Sequence, residues 1–373
     1  MDIFSKFLEM DFATMVFILI LCIAPAIVWY NIFEREYKEK LSTSFYAIIA
    51  GGLSTIPVLA YQQLWGKEVN MVFLKTEAIN FQENISQLFG FSGYGDMLSM
   101  ATSSNFFTVA VLTLFTVFLG VGFLEEVSKH VLVNPAFMFK MIIITILAGI
   151  GLFITGGASL IGIMGLLFYI LFLSFMPKML KFKSIDDIVS IGISSAIGFA
   201  LVENIIYFSH RWVDISSTLG IDSVLNANMG SLGEFLGFVA IRVTIVTMIH
   251  ILCSGVLAYH FGLAYFAKPK LQDEIREGRK HPIIEKIHKI FGTPEDKIFH
   301  YEQLFLALFL ATLLHGIYNL IAQLNFSILG IPAIALAMPI YFIGGFLYLF
   351  SKLEEKENRK KFGQLHVKEE FGE

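Results

Sequence analysis

Leu124-Glu125-Glu126-Val127-Ser128-Lys129 sets two adjacent carboxylates and an ammonium at the end of an apolar run that begins at Phe106. A charged side chain at membrane depth costs about 2.5–3.5 kcal/mol on insertion scales, so it persists there only where a partner or a reaction holds it. Three more polar islands interrupt later apolar segments: Glu203 with Asn204, Arg242 with His250, and His315 with Asn319. Whether those segments cross a membrane or fill an ordinary core decides the fold.

Composition settles that choice. Of the 373 residues, 56% are hydrophobic and only 16% are charged, against about 25% charged in a soluble domain. The apolar residues come in blocks long enough to cross about 30 Å of hydrocarbon as helix. The sequence therefore predicts an all-α, polytopic transmembrane bundle. About nine spans are expected, near residues 12–30, 45–64, 106–128, 139–155, 158–177, 187–208, 236–265, 303–323 and 328–350. Lys and Arg gather in alternate connections. They include Arg35, Lys38 and Lys40 after the first span, Lys178, Lys181 and Lys183 after the fifth, eight residues from Lys268 to Lys297, and six from Lys352 to Lys368. The positive-inside rule then puts the N-terminus outside and the C-terminus in the cytoplasm.

Other features narrow the class. The net charge is −4 and no basic patch points to nucleic acid. Cys22 and Cys253 both lie within expected spans, so no disulfide framework follows. The apolar run from Phe12 to Tyr30 is too long for a signal-peptide core and reads as a retained first helix. Residues 65–105 read as an external loop with a short interfacial helix, and residues 267–300 as a basic cytoplasmic segment near anionic lipid. The expected division is a two-helix extension with its loop over 1–105, a helical core over 106–350 and a polar tail over 351–373.

The polar islands carry hydrolytic chemistry. On a helix Glu125 and Glu126 point about 100° apart, and Lys129 can pair with either, leaving the other to act as base or ligand. Glu203 lies deep in its span, behind the small residues Gly192, Ser194, Ser195, Ala196 and Gly198, which let helices approach closely. Arg242 offers a fixed positive charge, His250 an imidazole that can bind a metal or accept a proton, and Ser254 sits one turn further on. His315 and Asn319 share a helix face, where the amide can orient the imidazole or donate to an oxyanion. Glu125, Glu126 and Glu203 against Lys129 and Arg242 leave one net negative charge. A proton on a buried carboxyl or a bound dication would remove it. Two histidines and a carboxylate with an open position are also the ligand set of a catalytic zinc. The candidate ligands are Glu126, Glu203, His250 and His315, and the arithmetic allows zinc without requiring it. Either way a carboxylate activates water and a cation or imidazole stabilises the oxyanion. The candidate catalytic set is Glu125, Glu126, Glu203, His250, His315 and Asn319, supported by Lys129, Asn204, Arg242 and Ser254. A proton- or ion-coupled transporter is the alternative, because intramembrane carboxylates and histidines also build ion pathways.

The order of motifs resembles the PrsW family of intramembrane proteases. It runs Glu125-Glu126-x-x-Lys129, then Phe199-x-x-x-Glu203, then Arg242 and His250, then His315-Gly316-Ile317-Tyr318-Asn319, over about residues 106–322. The related prenyl-protease and bacteriocin-immunity group has histidine where this chain has Glu203. The resemblance implies a multi-pass protease of the bacterial cytoplasmic membrane that cuts a membrane-anchored protein substrate such as an anti-sigma factor. It implies base or ligand roles for Glu125 and Glu126, a second-motif role for Glu203 and imidazole roles for His250 and His315. One conflict stands at this level. At 1.5 Å per residue Glu125 lies about 28 Å from one end of its span and Glu203 about 24 Å from the opposite end of its own, so the two depths disagree.

Overall fold

A computed structural model describes residues 7–37, 41–64, 122–130, 182–324, 327–328, 331–332, 337–345 and 347–348, with positions 143, 145–147, 150 and 167–172. Its elements are α1 (Phe12–Tyr37), α2 (Leu41–Leu64), α3 (Leu124–Lys129), α4 (Ile185–Leu219), α5 (Met229–Ile241), α6 (Thr247–Tyr265), α7 (Ala267–Arg276), α8 (Pro282–Phe291) and α9 (Glu295–Leu324). A wide π-turn, Arg242–Val246, joins α5 to α6 without a break. Among the described residues four helical stretches are long and apolar enough to cross a membrane: Phe12–Phe33, Ile185–Leu219, Met229–Tyr265 and Glu295–Asn319, with Thr43–Val58 a shorter apolar helix. Most of the expected spans 106–128, 139–155 and 158–177 and all of the 65–105 loop lie outside the described residues.

Local chemistry sets the helix ends. Asp11 caps α1 by accepting from the Thr14 amide at 3.1 Å, and the Thr14 hydroxyl, its strongest partner, holds the Asp11 carboxyl below the usual range. Ser184 and Asp187 form a reciprocal capping box at the start of α4, and Gly220, at φ 65°, closes its far end. The result is a 35-residue helix, well beyond the expected 187–208. At the C-terminal end the described part of the expected 328–350 span is helical at 337–345 and 347–348. Ser327–Ile328 and Ile331–Pro332 pair antiparallel instead. Pro332 has no amide hydrogen and pushes Ile331 towards extended backbone. The described fold is thus helical apart from this two-residue pairing.

The central core is built by α4, α6 and α9, with α2 against α4 and the short α3 set among them. α2 and α4 meet backbone to backbone. A Cβ on Gly51 would overlap the Ser195 carbonyl, and one on Gly198 would overlap the Ile48 carbonyl. Without lipid-phase hydrophobic drive, such small-residue contacts supply the packing. A second cluster, including Ile18, Phe208, Trp212 and Phe235, joins α1, α4 and α5. The basic 267–300 segment is more ordered than a set of solvated anchors. α7 and α8 bury Ala267, Leu271 and Ile284 against Ile298 and Phe299 of α9, and Glu274 pairs with Lys270, Arg279 and His281.

Candidate active site

Four elements bring the polar islands together. α3 supplies Glu125, Glu126 and Lys129, α4 supplies Glu203 and Asn204, the π-turn and α6 supply Arg242, His250 and Ser254, and α9 supplies His315. Glu203 sits near the middle of the 35-residue α4 rather than near one end.

Glu126 is the most enclosed of the carboxylates. Its Oε1 accepts from Lys129 Nζ at 2.6 Å and lies 2.8 Å from His315 Nδ1. Its Oε2 accepts from Ser254 Oγ at 2.9 Å. As a carboxylate has no proton to give, His315 carries its hydrogen on Nδ1, and the lone pair is left on Nε2, 3.6 Å from Glu125 Oε2. Lys129 Nζ also lies 2.8 Å from His250 Nδ1. An ammonium only donates, so His250 accepts there and carries its proton on Nε2, which faces Glu203 Oε2 at 3.0 Å. Lys129 further sits 4.5 Å from the Phe199 ring centroid, a cation–π contact.

Arg242 clamps the other end. Its Nη2 donates to Glu203 Oε2 at 2.9 Å and its Nε to Asn204 Oδ1 at 3.0 Å, while the guanidinium lies 3.7 Å over the Tyr207 ring. Asn204 in turn donates to Thr247 Oγ1 at 3.3 Å. Eight residues of regular helix would leave Arg242 and His250 about 80° apart. The π-turn takes up an extra residue and brings both onto the same Glu203 oxygen. The groups thus form one continuous series, Arg242, Glu203, His250, Lys129, Glu126, His315 and Glu125, in which cationic, anionic and imidazole groups alternate.

Donor atoms of Glu125, His250 and His315 all lie within 4.8 Å of one another. The other two expected ligands, Glu126 and Glu203, lie 2.8 Å from His315 Nδ1 and 3.0 Å from His250 Nε2, where a carboxylate can orient an imidazole. A tetrahedral ion with ligands at about 2.0–2.2 Å separates its donors by about 3.3–3.6 Å. The 3.6 Å between Glu125 and His315 fits that spacing, and the three-donor set fits a catalytic site with an open position. Asn319 lies half-buried one turn beyond His315, and among the described residues none hydrogen-bonds its amide.

His130 is a residue the sequence reading passed over. It is buried at the end of α3, with Nδ1 2.9 Å from the Glu126 carbonyl and Nε2 3.1 Å from the Ser254 carbonyl. Its place next to Lys129 and one turn after Glu126 was the available signal. Gly192 makes room for it, since a Cβ there would come within 2.9 Å of His130 Nε2 and 2.6 Å of Ala258. Ser195 ties the same corner to α4 by donating to the Lys129 carbonyl at 2.6 Å. His260, by contrast, is structural and bonds Gln303 and Tyr348. An apolar cavity of about 440 Å³ lies between α6, α9 and residues 337–348, lined by Leu252, Leu314, Ile317, Tyr341 and Gly345 and by none of the site's polar groups.

Comparison with curated proteins and with solved structures finds no match. The model of the PrsW family of intramembrane metalloproteases matches residues 39–345, which includes α2 and every group of the series above. An intramembrane protease is a hydrolase that acts on membrane proteins within the bilayer, and its class implies a bound metal. This chain belongs to the PrsW family of intramembrane metalloproteases.

Proposed function

We propose that the protein is a zinc-dependent endopeptidase of the bacterial cytoplasmic membrane that cuts a membrane-anchored substrate, such as an anti-sigma factor. The observation that carries this reading is the convergence of Glu125, His250 and His315 from three helices within 4.8 Å. In this reading those three residues hold the ion. When bound, it supplies Lewis acidity to a water and to the scissile carbonyl.

The chain's own groups do the rest. Glu126 accepts from His315 Nδ1 and so turns Nε2 towards the site, while Lys129 and Ser254 keep Glu126 in place. Glu203, fixed by Arg242, does the equivalent for His250. Glu126 already accepts three hydrogen bonds, so Glu125 is the carboxylate assigned to the water. One of its oxygens serves as ligand; the other takes the proton and returns it to the leaving amine. The Asn319 amide donates to the developing oxyanion. The apolar cavity lined by Leu252 and Leu314 receives a non-polar stretch of the substrate.

Purified protein in liposomes with a single-span anti-sigma substrate tests the reading. Cleavage and about one bound zinc are expected in the wild type. His250→Ala and His315→Ala should lose both, and Glu125→Gln should lose cleavage. Unimpaired cleavage by Glu125→Gln, or full zinc content in both histidine variants, would refute it.

A further inference from the structure

We infer that Lys129 competes with the metal for His250, so that the ion engages all three protein donors only when the ammonium leaves the imidazole. The inference rests on the proposed metal site of Glu125, His250 and His315.

The donors of that site are not equally ready. His315 gives its Nδ1 hydrogen to Glu126 at 2.8 Å and turns Nε2 towards Glu125. His250 has its Nδ1 lone pair engaged by Lys129 Nζ at 2.8 Å and its Nε2 hydrogen directed at Glu203 at 3.0 Å. A neutral imidazole has one lone pair, and here the ammonium uses it. Two donors are therefore preset and the third is covered by a cation that belongs to the chain.

Electrostatics points the same way. Lys129 and a dication would draw on the same counter-charge, Glu126, 2.6 Å from Nζ, and each would raise the cost of the other. Lys129 is able to yield, because it is the last residue of α3 and carries its charge on a flexible four-carbon stem. Its contact with Glu126 does not depend on its contact with His250, so it can release the imidazole and stay paired. Departure of Lys129 is what leaves the His250 Nδ1 lone pair free to complete the donor set with Glu125 and His315.

The test is a titration of the full chain in detergent with Zn2+ alone and with Co2+ alone, the latter followed by its visible spectrum. Lys129→Met should bind metal roughly tenfold more tightly or better, the scale of one hydrogen bond to a charged group. Lys129→Gln should shift in the same direction, and because it keeps a donor for Glu126 it decides the matter if Lys129→Met does not fold. Adding His250→Ala to either variant should cancel the gain. Equal or weaker binding by the Lys129 variants, while His250→Ala weakens the wild type, would overturn the inference and leave the metal site standing. A gain that survives His250→Ala would also overturn it. No binding by wild type or variants would overturn the site and the inference together.

Discussion

Glu126→Ala removes the acceptor that Lys129, Ser254 and His315 share. Both side chains of the Glu126–Lys129 pair are at most 1% exposed, so the orphaned ammonium has no route to water. Breaking a buried pair from one side costs about 3–5 kcal/mol. The unsatisfied Ser254 hydroxyl and His315 N–H add about 1–3 kcal/mol each. A loss of about 5 kcal/mol or more is expected. Adding Lys129→Met takes away the stranded charge and should return about 2–3 kcal/mol or more of it, so the two substitutions should be far from additive. Unfolding in an SDS titration, followed by tryptophan fluorescence, measures both single variants and the double. Losses that sum to within about 0.5 kcal/mol would show that Glu126 is not the counter-ion of Lys129, and the division of roles between the two glutamates would fall with it.

Gly51→Ala puts a methyl group into the Ser195 carbonyl and forces α2 away from α4; a loss of about 1–3 kcal/mol is expected in the same titration, and wild-type stability would contradict the close crossing. Arg242→Lys should cut cleavage about tenfold or more while the protein still accumulates in the membrane. One ammonium cannot replace the two guanidinium nitrogens that serve Glu203 and Asn204, and unimpaired cleavage would count against the clamp.

Much of the site was legible because charge is so costly in an apolar span. Glu125, Glu126, Lys129, Glu203 and Arg242 stood out for that reason alone, and the fold brings them together around His250. Gly198 and its small neighbours likewise announced a close helix crossing, although nothing in the sequence named Gly51 and Ile48 as its other side. The roles within the site were not legible. Which glutamate orients and which faces the water depends on where Lys129, Ser254 and His315 converge, and those residues come from three separate elements. His130 was hidden for a different reason. It bonds only to backbone carbonyls, whose positions no residue pattern reports. The helical reading of 328–350 failed at Ile331–Pro332, which pairs with Ser327–Ile328, because a local proline effect outweighed an apolar run.

The wide turn at Arg242–Val246 makes the site a question of phase. It works as a dial between two rods. The guanidinium stands on the first residue of the turn, where the rod before it ends, and the imidazole on the rod after it. Adding one residue there would turn the first rod by about 100° against the second. Every charged group would survive and every crossing would stay apolar, yet Arg242 would swing away from Glu203. Counting residues across this turn therefore tells a working chain from a look-alike with the same motifs, and a chain with one alanine inserted after Ile245 that still cleaved its substrate would show the dial to be idle.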